Sequence, residues 1–276
     1  MLSIIIVQYN NQFLTEQCIR SIKEHCSGEY EIILVDNGSS NSNPEKIKSE
    51  FPEVKLIVNE KNEGFGKANN LGSKIANGDI LLLLNNDTIV TSDFVEKISL
   101  IFSADDKLGA IGPQLLNHDG TLQLSWSKLP SFVNEFITKI ESDLFYKNNN
   151  FVKKNAGRKY QRQRYVDFIT AAALFIRKNL YEQINGFDEN FFMYFEDSDF
   201  CLRIKEAGKK IVYYPDIKII HLRGASSSKN IESFIKRQYR LSQLYYYQKH
   251  KGGLEQLLLK LYLKLSKKYP VEKPHA

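Results

Sequence analysis

Short apolar runs alternate with stretches of helical spacing through the first third of the chain. Four apolar runs predict strands, at residues 3–7, 31–35, 54–58 and 80–84. Three stretches between them predict helices, at residues 14–25, 44–51 and 66–76. Near-continuous apolar strands that alternate with helices are typical of an α/β fold whose parallel sheet is covered on both faces. Such sheets bind ligands beyond the carboxyl ends of their strands.

The rest of the chain is less uniform. Residues 125–164 are rich in Asn, Lys and Arg, and we predict a mobile loop or a small excursion there. Two C-terminal helices, at 231–250 and 254–268, are separated by Gly252-Gly253. The other regular segments are a helix at 92–102, a short strand at 110–112, an apolar segment at 165–176, helices at 178–184 and 196–207, and strands at 211–214 and 217–221.

Charge is distributed unevenly along the 276 residues, whose net charge is +6. Residues 229–276 hold 11 Lys+Arg and 3 Asp+Glu, whereas the preceding 228 residues hold 27 and 29. The basic surplus therefore lies in the C-terminal part. We predict one domain over residues 1–225 and a basic helical extension over residues 226–276.

The sequence also bears on the compartment. No stretch approaches the roughly 20 uninterrupted apolar residues of a transmembrane helix, and the first residues lack the features of a signal peptide. Cys18, Cys26 and Cys201 do not form a CxxC pair, and we interpret them as buried structural residues. Together these features predict a cytoplasmic protein in a reducing compartment.

Polar residues follow the predicted strands, where ligands are expected. The first strand is followed by Gln-Tyr-Asn-Asn-Gln at 8–12 instead of G-x-G-x-x-G, which argues against a dehydrogenase. Asp36 ends the second strand and can bind a nucleoside, although an Asx-turn is the competing interpretation. Asp87 ends the fourth strand and can hold a divalent cation, although a turn or capping role explains it too.

Two further candidates lie in the second half. Five large apolar residues, 191–195, lead directly into Glu196 and Asp197 at the start of a predicted helix. Helix capping explains part of this cluster, but a carboxylate at the edge of an apolar wall is also how a general base is poised. His221 ends an apolar strand, where it is either a structural residue or a ligand for a metal such as Mn²⁺.

The order and spacing of these motifs resemble family 2 glycosyltransferases. The resemblance covers about residues 2–225 and is greatest to the rhamnosyltransferase-like branch. It implies a GT-A fold, in which a Rossmann-like, nucleotide-binding mixed sheet is flanked by helices, and inversion at the anomeric carbon. The matching segments read SIIIVQYN, EIILVDNGSSN, VKLIVNEKNEGFGKANNLG, GDILLLLNNDTIV, GAIGPQLLNHDGTLQ and INGFDENFFMYFEDSDFCLRIKEAGKKIVYYPDIKIIHLRG.

The resemblance implies roles for individual residues. Tyr9 and Asp36 contact the nucleoside base, and Asn62, Gly64 and Asn69 line the pocket of a nucleoside-diphosphate sugar. In the DxD-type motif, Asp87 binds Mg²⁺ or Mn²⁺, and His221 completes the metal site. Asp197 is the catalytic base of the "ED" motif, beside Glu196.

Two departures from the family pattern affect these expectations. Asn85 and Asn86 occupy the first two positions of the DxD-type motif, so that a single carboxylate remains there. We therefore expect weak metal affinity without the donor diphosphate. Residues 170–173, Thr-Ala-Ala-Ala, lack the Gly-Ala expected near the acceptor, which leaves acceptor preference open.

The resemblance favours dTDP-rhamnose as donor, with UDP-sugars as the alternative, and a glycan or polyprenyl-linked glycan as acceptor. The helix at 254–268 places leucines at helical spacing against lysines. It either lies on an anionic membrane or packs on the body or on a second subunit, which leaves a homodimer open. A nucleotidyltransferase, a non-catalytic binding module and nucleic-acid binding by the tail are less favoured, and we expect no nucleic-acid partner.

Overall fold

The computed structural model describes residues 1–222 and 229–266. Its first half confirms the predicted alternation of strands and helices. The capping side chain of Asn43 accepts the Lys46 N–H at the start of the second helix, and Pro44 occupies its first turn. The elements are β1 (Leu2–Gln8), α1 (Gln12–His25), β2 (Tyr30–Asp36), α2 (Pro44–Glu50), β3 (Lys55–Val58), α3 (Phe65–Lys74), β4 (Ile80–Asn85), β5 (Thr88–Val90) and α4 (Val95–Ala104).

The second half holds longer and more distant connections. Its elements are β6 (Leu108–Leu116), β7 (Trp126–Ser127), α5 (Phe132–Tyr146), α6 (Asn150–Tyr160), β8 (Arg164–Val166), β9 (Phe168–Ile169), β10 (Ala173–Arg177), α7 (Lys178–Gln183), α8 (Glu196–Glu206), β11 (Lys210–His221), α9 (Lys229–His250) and α10 (Gly253–Leu265).

Within the described residues, nine strands form one mixed sheet in the order β3-β2-β1-β4-β10-β6-β11-β5, with β8 beside β11. The first four strands are parallel, as predicted for this part of the chain. Strand β10 runs antiparallel between β4 and β6, which makes the complete sheet mixed. Ile4 and Ile6 pack on one face with α1 and α4, and Ile5 packs on the other with α7 and α8. Helices therefore cover both faces.

Two sequence predictions were wrong. Residues 125–164 are not a mobile loop, because they form α5 and α6 with the short strand β7. Ser131 and Asn149 cap these two helices through their side chains. Residues 211–221 form one strand instead of two, since β11 continues through Pro215-Asp216 with a shift of register against β6. An irregular strand can accommodate proline in this way.

The C-terminal helices pack on the body of the protein. Tyr246 and Tyr247 of α9 and Leu259 and Leu263 of α10 are buried in one cluster with Phe191 and Phe195. The boundary predicted at 225/226 and the last predicted residues of the helix at 254–268 lie outside the described residues. Among the described helices, none has the length and apolar character needed to cross a membrane. All three cysteines are buried and unpaired.

Candidate active site

The carboxyl ends of three neighbouring strands bring the first candidates together. Strand β1 lies between β2 and β4, with Gln8 opposite Asp36 and Val7 opposite Asn85. The polar residues that follow these strands therefore share one edge of the sheet, as the sequence predicted. Tyr9 lies at this edge with half of its surface exposed, which leaves its ring available to a ligand.

Asp36 is almost fully buried at this edge. Gln8 Nε2 donates to its Oδ2 at 3.0 Å, the Ser39 N–H donates to its Oδ1 at 2.9 Å, and the Ser42 hydroxyl also donates to it. The Ser39 contact is the turn that the competing interpretation required. Gln8, which was not among the predicted site residues, keeps its buried Oε1 without a hydrogen-bond partner among the described residues.

Asn37 organises the loop that follows β3. Its Nδ2 donates to Asn62 Oδ1 at 3.0 Å and to the Gly64 carbonyl at 3.1 Å. Its Oδ1 accepts from Asn59 Nδ2 at 3.0 Å and from the Glu63 N–H at 3.1 Å. Asn62 and Gly64, both predicted to line a donor pocket, are thus held at the end of β2 by one buried amide that sequence reasoning did not assign.

Gly64 joins this loop to the segment before Asp197. Its φ is +88°, and a Cβ there would lie 2.6 Å from the Phe192 carbonyl oxygen. The next residue, Phe65, donates its N–H to the same oxygen at 3.1 Å. Asn69, one turn further along α3, is fully buried and donates to the Phe65 carbonyl, while its Oδ1 has no partner among the described residues. A buried acceptor of this kind is suited to a ligand's donor.

The side chains of the Asn85-Asn86-Asp87 turn contact two different parts of the protein. Asn86 Nδ2 donates to the Asn11 carbonyl and to Thr15 Oγ1 at 3.0 Å, so this amide holds the turn against α1. Asn85 Nδ2 lies 3.4 Å from His221 Nε2, and Asp87 Oδ1 lies 3.2 Å from the same nitrogen. The pairing of β5 with β11, which places Thr88 opposite His221, creates this arrangement.

Gln123 orients the imidazole ring of His221. Gln123 Nε2 donates to the His221 carbonyl, so its Oε1 faces the ring and lies 3.1 Å from His221 Nδ1. Nδ1 therefore carries a hydrogen, and Nε2 faces Asp87 Oδ1. A proton on Nε2 or a cation bound between the two atoms would make this contact favourable.

A divalent cation fits this pair of ligands. Carboxylate oxygen and imidazole nitrogen are ligands that Mn²⁺ accepts, and carboxylate oxygen also suits Mg²⁺. Across residues 1–222 and 229–266, no group of three His, Cys, Asp or Glu side chains could hold a metal ion. The remaining coordination positions would therefore fall to water or to the oxygens of a bound phosphate.

The residues before α8 adopt an unusual backbone conformation. Tyr194 and Phe195 have φ values of 64° and 63°, a left-handed conformation that bulky residues rarely adopt. Such local strain persists where surrounding packing holds it, and it is frequent at functional sites. Here the buried ring of Phe195 packs against Tyr239 and Tyr246 of α9. This packing points the first turn of α8 toward the interior.

Burial raises the pKa of both carboxyl groups in that turn. The pKa of Asp197 rises from 3.8 to about 6, mainly through burial, against hydrogen bonds from the Ser198 and Ala171 N–H groups. The pKa of Glu196 lies well above its usual 4.5, because of burial first and the nearby Asp197 second. Glu196 Oε2 has no hydrogen-bond partner among the described residues.

One short segment links Asp197 to the end of β4. Ala171 donates its N–H to the Asp197 carboxylate, and the carbonyl of Ala172 accepts the Asn85 N–H at 2.9 Å. The Thr-Ala-Ala-Ala segment that departs from the family pattern is therefore the bridge between the predicted base and the predicted metal motif. The structure brings these two groups together from widely separated parts of the chain.

Asp197 opens into a cavity of about 350 Å³. Helix α5 contributes Glu135, and helix α9 contributes Tyr239, to the wall of this cavity. Sequence reasoning assigned no role to either residue, because nothing local indicates that α5 and α9 meet at this point. The full set of lining residues is Ser127, Lys128, Pro130, Asn134, Glu135, Thr138, Lys139, Ser142, Phe168, Tyr194, Phe195, Asp197, Ser198 and Tyr239.

Comparison with known proteins identifies the family. The model of glycosyl transferase family 2 matches residues 3–184, most of the sheet and its first helices. The chain belongs to glycosyl transferase family 2. A second family model, described as the N-terminal domain of galactosyltransferase, matches residues 154–223.

Two rhamnosyltransferases are among the similar family 2 proteins. The chain is 24% identical over 263 residues to N-acetylglucosaminyl-diphospho-decaprenol L-rhamnosyltransferase of Mycobacterium tuberculosis, covering 91% of this chain and 86% of the relative. It is 27% identical over 242 residues to rhamnosyltransferase WbbL of Escherichia coli, covering 80% and 83%. The predicted resemblance to the rhamnosyltransferase-like branch is confirmed.

Solved structures show the same GT-A fold. GalNAc-T7, solved with UDP, GalNAc and Mn²⁺, superposes with a TM-score of 0.61 at 16% identity, over 90% of this chain and 49% of that chain. The mannosyltransferase PcManGT from Pyrobaculum calidifontis, solved with GDP-Man and Mn²⁺, gives 0.60 at 18% identity, over 96% and 70%. The predicted fold is confirmed.

Proposed function

We propose that this family 2 glycosyltransferase is metal-dependent and inverts the configuration at the anomeric carbon of the sugar it transfers. The sugar moves from a nucleoside diphosphate to a hydroxyl of a glycan or lipid-linked glycan during the synthesis of a bacterial surface polysaccharide. The observation that carries the proposal is the short bridge, Ala171-Ala172, that joins Asp197 to the end of β4, beside Asp87 and His221. This bridge supports neighbouring positions for the base and for the pair of metal ligands.

The chemistry of a single displacement fits these residues. Asp197 has a pKa of about 6, so its carboxylate is ionised near neutral pH yet remains a strong enough base to take the proton of an attacking hydroxyl. Attack on the far face of the sugar requires one base and no protein nucleophile. Held by Asp87 and His221, Mg²⁺ or Mn²⁺ would neutralise the charge that develops on the leaving diphosphate.

We base the assignment of the donor-binding residues on their place at the same carboxyl edge of the sheet. We assign Asp36 and Tyr9 to the base or ribose, since one is a buried carboxylate and the other an exposed ring at the end of β1. Asn62 and Gly64 frame the loop over the pocket, and Asn69 offers a buried acceptor. The contacts of Asn86 with α1 support a role in shaping the turn rather than in touching the donor.

The relatives favour dTDP-rhamnose as donor. Among them is the dTDP-rhamnosyl transferase RfbF of Shigella flexneri, 22% identical over 249 residues, which covers 86% of this chain and 76% of the relative. A UDP-sugar is the alternative, since GalNAc-T7 was solved with UDP. The name of the Mycobacterium tuberculosis relative includes a diphospho-decaprenol acceptor, which favours a polyprenyl-linked glycan here and a site of action at the cytoplasmic face of a membrane.

A thermal-shift panel tests the donor assignment. Wild type and Asp87→Ala are measured with UDP, dTDP, GDP and ADP, each with and without Mn²⁺. A ligand that binds only the folded state raises its stability by RT ln(1 + [L]/Kd). We expect a Mn²⁺-dependent shift with dTDP, or with UDP under the alternative, that Asp87→Ala loses. If none of the nucleotides shifts the wild type, the donor assignment fails and a non-catalytic binding module becomes the better hypothesis.

A further inference from the structure

Two helices turn their apolar faces away from the protein. In α5 the exposed apolar residues are Val133, Phe136, Ile137, Ile140 and Leu144. In α10 they are Leu254, Leu257, Leu258, Leu261 and Leu265. Both sets have the spacing i, i+3, i+4, i+7, i+11, which places each on one side of its helix. We refer to these two sets as the outward stripes.

The opposite faces of both helices hold them to the body. Glu135 of α5 accepts hydrogen bonds from the Tyr247 hydroxyl and from Gln243 Nε2, each at 2.6 Å, and both donors lie on α9. Leu259 and Leu263 of α10 are buried against the aromatic cluster around Phe195. The outward stripes are therefore not needed for the protein's own core. Together they form a larger apolar surface than the single, scattered apolar residues that soluble proteins usually expose.

The two helices adjoin each other. The N–H of Phe132, at the start of α5, donates to Glu255 Oε2 of α10 at 3.0 Å. The Phe132 ring also meets the Tyr262 ring edge to face, with centroids 6.4 Å apart. Phe151 adds an exposed apolar side chain from a third helix, α6, with 75% of its surface accessible. The stripes thus belong to one region of the molecule.

The charge of this region indicates the partner. Residues 131–162 hold seven Lys+Arg and three Asp+Glu, and one of the three, Glu135, is bound to α9. In α10, Lys260 and Lys264 lie beside the stripe, against the single acidic residue Glu255. Exposed leucine and phenylalanine flanked by lysine are the features with which a helix lies on an anionic bilayer. A two-fold contact between copies would instead bring the same lysines together.

A groove leads from this region to the predicted base. A cavity of about 610 Å³ lies between α5, α6 and the segment around β7, and exposed Ile137 and Phe151 form part of its wall. Its lining residues Ser127, Asn134 and Thr138 also line the cavity that contains Asp197. The two cavities are therefore adjacent beneath α5.

We propose that the outward stripes of α5 and α10 are a docking surface for an anionic lipid bilayer. Docked in this way, the enzyme presents the groove beneath α5 to the membrane, so that an acceptor anchored there reaches Asp197. The route of the acceptor rests on the proposed function, whereas the docking itself does not. The proposal extends the sequence-based interpretation of residues 254–268 to α5, a helix that the sequence did not predict.

Vesicle co-sedimentation of the full chain tests the docking surface. The probes are vesicles of phosphatidylcholine alone and of phosphatidylcholine with phosphatidylglycerol, at low and high salt. We expect binding to the anionic vesicles that weakens with salt. Phe136→Ser/Ile140→Ser and Leu257→Ser/Leu261→Ser should each weaken it about tenfold or more, because each removes two side chains from the bilayer. Leu100→Ser, which removes an exposed leucine of α4, is the matched control and should bind as wild type does.

Several results would overturn the proposal. The proposal is wrong if the wild type binds neither type of vesicle. It is also wrong if the double variants bind anionic vesicles as well as Leu100→Ser does. A dimer in light scattering that the double variants dissociate, without any vesicle binding, would assign the stripes to contact between copies. Circular dichroism of each variant shows whether it is folded. The nucleotide panel contains no lipid, so a normal Mn²⁺-dependent shift with failed docking would leave the proposed function intact.

Discussion

The Nε2 atom of His221 lies 3.2 Å from Oδ1 of Asp87, at the point where β5 and β11 pair. The two residues are distant in sequence and meet because Thr88 and His221 occupy opposite positions in an antiparallel ladder. Gln123 then orients the ring so that its Nε2 faces the carboxylate. The proposed pair of metal ligands therefore depends on strand register, because the turn that carries Asp87 supplies only one of the two residues.

This relationship makes Gln123 a positioning residue. We expect Gln123→Leu to weaken Mn²⁺ affinity in the presence of nucleoside diphosphate by roughly 10- to 100-fold, as is typical for the loss of a hydrogen bond that orients a ligand. His221→Ala should weaken it at least as much. Isothermal titration measures both, with exposed His118→Ala as control. Unchanged affinity in His221→Ala would remove His221 from the metal site.

Asp197 illustrates a conflict between activity and stability. We expect Asp197→Asn to lower kcat by roughly 10²- to 10⁴-fold, the usual contribution of a general base. The same variant should be more stable at pH 7 by up to about 3 kcal/mol, since the pKa rises from 3.8 to about 6 and each unit is worth about 1.36 kcal/mol. Urea unfolding measures the stability.

The size of this stability difference depends on pH. Below the unfolded-state pKa of 3.8, Asp197 is protonated in both states and costs no stability. Between pH 3.8 and about 6 the unfolded chain loses its proton first, so the stability of the wild type falls as pH rises. The advantage of Asp197→Asn should therefore shrink toward pH 4. Equal stability of the two proteins at pH 7 would contradict the raised pKa, and full activity of the variant would exclude Asp197 as the base.

The same carboxyl predicts the pH dependence of the reaction. Because a base must be ionised, kcat/KM should fall as pH drops through about 6. Glu196→Gln should leave the fall in activity near pH 6 in place, because burial and not Glu196 is the leading cause of the raised pKa of Asp197. A pH–rate profile of both proteins tests this. A limb that moves to about pH 4 in Glu196→Gln would show that Glu196 sets the pKa.

The placement of several candidate donor residues could be predicted, because parallel strands place their carboxyl ends at one edge of the sheet. Asp36 and Asp87 follow apolar strands directly, so their positions could be derived from local pattern alone. The partners that complete the site could not. Asn37 controls the loop of Gly64 through side-chain hydrogen bonds across strands, and Gln123 reaches His221 through the fold. Such pairings depend on register, which one sequence does not show.

The two missed helices have a different cause. In α5 the apolar positions do recur at helical spacing, and Ser131 is a capping residue. The surrounding Asn and Lys residues nevertheless made the segment look irregular, and its apolar side faces outward instead of joining the core. Likewise, Tyr239 lines the cavity of Asp197 only because α9 packs back on the residues before α8. Amino-acid composition does not predict a contact between segments that are far apart in the sequence.

Asp199 of α8 binds the C-terminal residues of α9. Its fully buried carboxylate accepts a hydrogen bond from Arg203 Nε at 2.8 Å, and it lies 2.7 Å from both Lys249 Nζ and His250 Nε2. We expect Asp199→Ala to lower the free energy of unfolding by about 3–5 kcal/mol, because the part-buried Arg203 loses its carboxylate and Lys249 keeps only Asp188. Glu232→Ala, which breaks an exposed pair with Lys236 in the same helix, should cost about 0–1 kcal/mol. Similar values for the two variants, from urea unfolding, would show that this anchor is weak.

Gly64 offers a test of how the donor loop is joined to the base. Gly64→Ala forces a Cβ to within 2.6 Å of the Phe192 carbonyl oxygen at a φ of +88°. Gly120→Ala is the matched control, since its φ is +78° and nothing lies within 4 Å of a Cβ there. Gly120→Ala should lower the free energy of unfolding only by the cost of an alanine in the left-handed conformation, about 1–2 kcal/mol. Gly64→Ala should lose more, because the loop or the segment before Asp197 has to move.

That displacement should also reach function. The Phe192 carbonyl accepts the Phe65 N–H, so a shift at Gly64 moves the start of α3, one turn before Asn69, relative to Asp197. We therefore expect Gly64→Ala to weaken nucleotide binding in the thermal-shift panel and to lower kcat/KM, whereas Gly120→Ala keeps both. If Gly64→Ala is destabilised yet binds nucleotide with unchanged affinity, the loop after β3 is a structural connection and Gly64 has no part in the donor site.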